Sequence, residues 1–216
     1  MNLVKESLFE FYKPKSVKDA ARIGILYRIQ DEMKATSEEY EGLDHALRWS
    51  AENGKINYIE YLLKVGANIH SIDDYALRWA SYEGYYDIVK LLINNGANVH
   101  ARNNGALRWA SEEGHYGIIK LLLNNGANVH DQNNESIKNA VQNNHYSVVK
   151  LLLDNGANVH TENDYVFKCA LTGGYYDIVK LLLDNEANIY VNNDYALRLA
   201  KENKHYDIVE LLKKYI

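Results

Sequence analysis

The feature that most restricts how this chain can fold is an unbroken period of 30 residues. The string Gly-Ala-Asn-(Val/Ile)-His begins at Gly66, Gly96, Gly126 and Gly156. A further copy begins at Glu186, with Tyr190 in place of histidine. Ala-Leu-Arg recurs at Ala46, Ala76, Ala106 and Ala196, and relaxes to Ser-Ile-Lys at Ser136 and Val-Phe-Lys at Val166. No insertion breaks the spacing over 44–216, so six units begin at Asp44, Asp74, Asn104, Asn134, Asp164 and Asp194. A fixed period of this length marks a solenoid, in which each unit packs only on its neighbours.

The second unit shows the physics. Asp74 can cap a helix N-terminus, its carboxylate accepting a free backbone N–H. A first helix is expected over 75–83, apolar at Ala76, Leu77, Trp79 and Ala80 and ended by Gly84. A second helix is expected over 86–95, where Ile88, Val89, Leu91, Leu92 and Ile93 leave few polar positions. A helix so apolar must be covered on nearly all sides, and the adjacent units do the covering. Gly96 ends it, and 97–103 returns the chain.

These residues resemble the ankyrin repeat. The segment Asp87-Ile88-Val89-Lys90-Leu91-Leu92-Ile93-Asn94-Asn95-Gly96-Ala97-Asn98-Val99 is similar to that family's second-helix pattern, and Ala76-Leu77-Arg78-Trp79-Ala80 takes the place of its Pro-Leu-His-Leu-Ala stretch. The resemblance implies an all-α solenoid of stacked helix-turn-helix units. Ankyrin units usually have about 33 residues. Alignment of both helices puts the missing three between His100 and Ala106, so the β-hairpin finger of the family is expected to shrink to a tight turn. The 30-residue unit is similar to those of ankyrin proteins of giant DNA viruses, which would imply action in host cytoplasm.

The expected layout is an N-terminal segment (1–13), a degenerate capping unit (14–43), five full units (44–73, 74–103, 104–133, 134–163 and 164–193) and a C-terminal capping unit (194–216), all in one domain. Arg28 replaces the apolar residue of Tyr58 and Ile88, as suits a face without a neighbour. A short amphipathic helix is expected over 2–11. On this layout no residues remain for a catalytic domain.

Composition narrows the function. The net charge of −5 argues against a nucleic-acid backbone as main partner. Residues 1–12 contain neither a signal peptide nor a membrane span. The one cysteine, Cys169, rules out an internal disulfide and fits a reducing compartment. A cytoplasmic monomer that binds no membrane is the expectation.

Four rows invite chemistry. His70, His100, His130 and His160 suggest a metal, but stacked helices lie about 8–10 Å apart and metal ligands sit about 2 Å from the ion. Hydrogen bonding of each imidazole to loop backbone is expected instead. Arg48, Arg78, Arg108, Lys138, Lys168 and Arg198 suggest a phosphate stripe. Pairing with loop carbonyls, or with the aspartates four residues earlier, is the expectation. Tyr86, Tyr116, Tyr146, Tyr176 and Tyr206 are expected to fill the core, as are Trp49, Trp79 and Trp109. Cys169 falls in the tryptophan column and is expected to be buried and inert. No nucleophile–base arrangement, phosphate loop or metal motif is present, so neither an enzyme nor a cofactor is expected.

Other columns vary while the packing columns repeat. They run along the exposed side of the first helices and the loop tips, where ankyrin proteins commonly bind on a concave face. The candidate partner-binding residues are Tyr75, Tyr82, Arg102, Glu112, Gln142, Glu135, Tyr165 and Tyr195, with the tyrosines as anchors. The implied function is a non-enzymatic scaffold or adaptor for an unidentified protein partner of some basic character. The alternative is a receptor that brings targets to ubiquitin machinery. Viral ankyrin proteins of that kind usually carry an F-box-like C-terminal segment, whereas 214–216 still lies inside a unit.

Overall fold

The computed structural model describes residues 25, 28, 29, 31, 32, 42–189 and 195–216. The helix expected over 2–11, and Tyr190, Asn192 and Asp194, lie outside them. Two compact units form, Met1–Ile69 and His70–Ile216. The first holds α1 (Leu43–Glu52) and α2 (Ile56–Lys64). The second holds α3 (Ser71–Tyr82), α4 (Tyr86–Asn94), α5 (Ala101–Glu113), α6 (Tyr116–Asn124), α7 (Asp131–Gln142), α8 (Tyr146–Asp154), α9 (Thr161–Gly173), α10 (Tyr176–Asp184), α11 (Tyr195–Glu202) and α12 (Tyr206–Leu212). Among the described residues there is no strand, and the fold is an all-α repeat solenoid.

In the smaller unit, Tyr58 donates its hydroxyl to Glu32 at 2.6 Å, and Lys55 pairs with the same carboxylate at 3.1 Å. Ile29 is buried and Arg28 is exposed.

In the larger unit, α3, α5, α7, α9 and α11 pack successively on one another, and α4, α6, α8, α10 and α12 do the same. The core lies between the two rows. Leu77, Leu107, Ile137 and Phe167 enter it from the first helices, and Val89, Leu92, Ile119, Leu122, Val149 and Leu152 from the second. Full burial of one such side chain contributes about 1.5–3 kcal/mol.

The Asn-Gly-Ala-Asn-Val-His string now has a physical account. Asn95 donates its side-chain amide to the carbonyl of Leu91 at 2.8 Å. Gly96 takes φ +93°, the left-handed conformation that glycine enters most easily. Its N–H then reaches the carbonyl of Ile93, and that of Ala97 reaches Leu92, both at 3.0 Å, closing the helix end with the paired bonds of a Schellman motif. The side chain of Asn98 accepts from the N–H of His100 at 3.0 Å. Ala97 and Val99 are buried. Glu186 stands in the glycine column and is forced to φ +67°, as expected.

The shortened loop is an uncommon turn. Three successive residues are left-handed in each of four loops: Ile72-Asp73-Asp74, Arg102-Asn103-Asn104, Gln132-Asn133-Asn134 and Glu162-Asn163-Asp164. The right-handed part of α3 thus begins at Tyr75. Such a conformation costs an L-residue roughly 1–2 kcal/mol, and Asn and Asp tolerate it best. That explains the Asn/Asp doublets at the second and third positions. The expected helix cap is corrected here: the carboxylate of Asp74 does not cap α3. It accepts the backbone N–H of Asn98 at 2.8 Å, 24 residues on. Asp44 with Asn68, Asn104 with Asn128, and Asn134 with Asn158 repeat this tie at 2.7, 2.8 and 3.0 Å.

The tyrosine row is also corrected. Tyr86, Tyr116, Tyr146 and Tyr206 are exposed, and Tyr176 is half-buried. Tyr86 lies two residues before core-facing Ile88, about 200° around the helix axis, so it points away from the core. Its ring lies beside Gly117 of the next unit, where an added Cβ would be 3.6 Å away.

Candidate functional site

Tyr75, Trp79 and Tyr82 follow one another at helical spacing on one stripe of α3. Tyr75 stacks on Trp79, with ring centroids 5.6 Å apart and planes 12° from parallel. Tyr82 meets the same indole at 5.6 Å. Trp109, from α5, meets Trp79 edge-on at 5.9 Å and Tyr82 at 6.1 Å. All four rings are half-buried. Core positions were expected for Trp79 and Trp109. They stand two residues beyond core-facing Leu77 and Leu107, so their indoles emerge on the opposite side. Trp49, in the other unit, is buried.

Arg78 lies beneath the rings, its guanidinium carbon 5.5 Å from the Tyr75 centroid and 5.1 Å from that of Trp109. Its Nε donates to the carbonyl of Asp73 at 3.0 Å and its Nη2 to that of Ile72 at 2.9 Å. The left-handed turn is thereby held from inside, and two carbonyls that the turn strands are satisfied. Burial, then the charge of Arg102, holds the Arg78 pKa below its ordinary value.

An acidic edge borders the patch. The charge of Glu113 pushes the Tyr82 phenol above its ordinary pKa, with smaller contributions from burial, a hydrogen bond to Glu113, Glu112 and Glu83. All three glutamates are exposed.

A family model described as ankyrin repeats, in three copies, matches residues 19–103, 47–133, 77–163 and 137–216. The chain is an ankyrin-repeat protein. A comparison with curated proteins finds no significant match.

Among the candidate residues of this ankyrin-repeat protein, the structure joins Tyr75 to Tyr82 through Trp79, and Gln142 to Tyr165 through an amide-to-hydroxyl bond of 2.8 Å. The rest have separate surroundings. Arg102 pairs with Asp73 at 2.9 Å on the loop side. Glu135 and Glu162 flank Lys138 at 2.7 and 2.9 Å. Burial pulls the Lys138 ammonium down, but the hydrogen bonds to both carboxylates outweigh it and raise its pKa. Glu112 is exposed, and Tyr195 carries Arg198 at 5.5 Å over its ring. Cys169 is half-buried rather than buried, because it shares the outward column of Trp79. Its hydrogen bond with Tyr165 raises that phenol's pKa.

The basic row serves the turns. Like Arg78, Arg108 donates to the carbonyls of Asn103 and Arg102, at 3.3 and 3.1 Å, and Lys168 to that of Asn163 at 2.6 Å. Pairing with loop carbonyls is therefore the arrangement at these positions, and Lys138 uses carboxylates instead.

The histidine row is corrected. Imidazole Nδ1 meets the side chain four residues on, not loop backbone: Asp74 at 3.1 Å from His70, Asn134 at 3.3 Å from His130, and Asp164 at 2.7 Å from His160.

A second ring row was missed. His115, His145 and His205 each donate Nε2–H to a carbonyl at the end of the preceding first helix, Tyr82, Glu112 and Thr172, at 2.8, 2.8 and 3.0 Å. Tyr175 does the same to Gln142 through its hydroxyl at 3.2 Å. The available signal was a column holding only rings with a polar tip: Tyr85, His115, His145, Tyr175 and His205.

Proposed function

We propose that this ankyrin-repeat protein is a non-catalytic interaction scaffold. It holds a protein partner on the face built from its first helices and left-handed turns, the side that is concave in the family. The half-buried cluster of Tyr75, Trp79, Tyr82 and Trp109 carries this reading. Interface anchors are enriched in tryptophan and tyrosine, set in a centre from which a partner excludes water. The cluster is built on helices, and the turns at its side are braced by Arg78 and Arg108, so little ordering entropy is lost on binding. The residues that vary along this face, Glu112, Gln142, Tyr165 and Tyr195, extend the contact beyond the cluster. The 30-residue unit supports a viral protein acting on host targets in the cytoplasm.

Site-specific photo-cross-linking tests the proposal. A photoreactive phenylalanine at position 82 is expected to capture a discrete protein in cells, while one at position 146, on the tyrosine row, is not. Adducts of equal yield at both positions, or none at 82, would overturn it. Ubiquitin-ligase subunits among the adducts would redirect the reading towards a target receptor.

A further inference from the structure

We infer that the cluster around Trp79 and Trp109 takes a basic peptide segment of the partner, with a lysine or arginine side chain lying against the exposed part of the rings and its charge between Glu112 and Glu113. The inference rests on the scaffold reading above and deepens it.

The charges around the cluster decide its sign. Two cations stand near the rings, and both have partners. Arg78 is buried, and its donors are taken by the carbonyls of Ile72 and Asp73. Arg102 is engaged by Asp73 at 2.9 Å. Of the nearby carboxylates, Glu113 takes a hydrogen bond from the Tyr82 hydroxyl. Glu83, Glu112 and Glu113 are exposed, and none of the ion pairs among the described residues includes them. The rings add to the same field, because an aromatic face is the negative end of its quadrupole. Trp109 already attracts one cation, Arg78 at 5.1 Å. A guanidinium or ammonium from outside meets negative potential from both rings and carboxylates. An acidic peptide would meet repulsion.

The cluster is also local. Its column reads Trp49, Trp79 and Trp109, then Asn139, Cys169 and Leu199. In the larger unit only the repeats that begin at Asp74 and Asn104 supply an indole, so the basic side chain docks there, and the later repeats contact the flanking sequence.

Fluorescence anisotropy on the full chain provides the test, with labelled hepta-arginine and hepta-glutamate peptides as probes. Hepta-arginine is expected to bind saturably and hepta-glutamate not to bind. Trp109→Leu installs the residue that already stands at Leu199, so the fold is retained. This variant and the double variant Glu112→Gln/Glu113→Gln are each expected to weaken hepta-arginine binding about fivefold or more, the scale of a cation–ring contact. Equal affinity for wild type and both variants would mean diffuse charge attraction and would overturn the inference. So would saturable binding of hepta-glutamate, or no saturable binding of hepta-arginine. The inference can fail while the scaffold reading stands: a cross-link from position 82 to a neutral or acidic segment would overturn the basic partner and leave the scaffold in place.

Discussion

The Nε2–H of His115 donates to the backbone carbonyl of Tyr82 at 2.8 Å, joining the start of one second helix to the end of the preceding first helix. The carbonyls at a helix C-terminus lack partners within the helix. The ring of the next repeat supplies one, and the same bond recurs at Glu112, Gln142 and Thr172 in the larger unit. His115→Ala is expected to lower the unfolding free energy by about 1–2 kcal/mol, the scale of a hydrogen bond lost with one partner left unpaired. Urea denaturation measures this, and an unchanged midpoint would show that water replaces the imidazole without loss.

The ring row of His115, His145 and His205 also requires the glycine beside it. Gly114 has φ +79°, and a Cβ there would lie 2.7 Å from Nδ1 of His145. Gly114→Ala combines a left-handed alanine, roughly 1–2 kcal/mol, with displacement of the imidazole from the carbonyl of Glu112. A loss of about 2 kcal/mol or more is expected in the same denaturation experiment, and a loss smaller than that of His145→Ala would contradict this account.

Two strained positions can be relieved. Glu186 occupies φ +67°, and Ile72, a β-branched residue, φ +49°. Glu186→Gly and Ile72→Asn are each expected to stabilise the protein by roughly 1 kcal/mol, additively, since the two sites share no contact. Calorimetry on the single and double variants checks both size and additivity.

Strain is unevenly distributed along the array. The fourth and fifth repeats carry Asn144 at φ +58° and Glu186 at φ +67°, where the second and third have glycine at the equivalent positions. They also lack the indole pair. Faster amide exchange is expected from α7–α10 than from α3–α6. Uniform protection factors would reject this.

Acid weakens the smaller unit at a definable place. The hydrogen bond from Tyr58, and then that from Lys55, holds the Glu32 carboxyl below its ordinary value of 4.5. A carboxyl depressed in the fold stabilises it above the unfolded value, and the contribution disappears as the pH falls through the folded value. Glu32→Gln is thus expected to destabilise the protein at pH 7 and to have little effect near pH 2. A pH-independent difference would assign the effect of Glu32 to something other than its charge.

Much of this fold was legible because its period repeats without interruption. Spacing and apolar pattern located the helix pairs and the strain at Glu186, and the resemblance to the 33-residue ankyrin unit located the shortened loop. The errors at Tyr86 and Trp79 came from assigning a column by its chemistry or family position rather than by its angle on the helix. Tyr86 and Trp79 are large and apolar, but each lies two residues from a core residue and so faces away from it. Asp74 erred differently. A carboxylate at a helix start can reach the adjacent N–H groups or, as here, a loop 24 residues on, and spacing does not distinguish the two. The ring patch follows from the same helical angle, together with the change from Trp109 to Asn139.

The two kinds of tie have an evolutionary consequence. The bond between Asp74 and Asn98 closes within one unit, and the bond between His115 and Tyr82 crosses a single boundary. If 30 residues are excised or duplicated in phase, every donor still finds an equivalent acceptor. Recombination between copies can therefore lengthen or shorten the array without an unsatisfied junction. Array length is then an inheritable variable, separate from the residues that choose a partner.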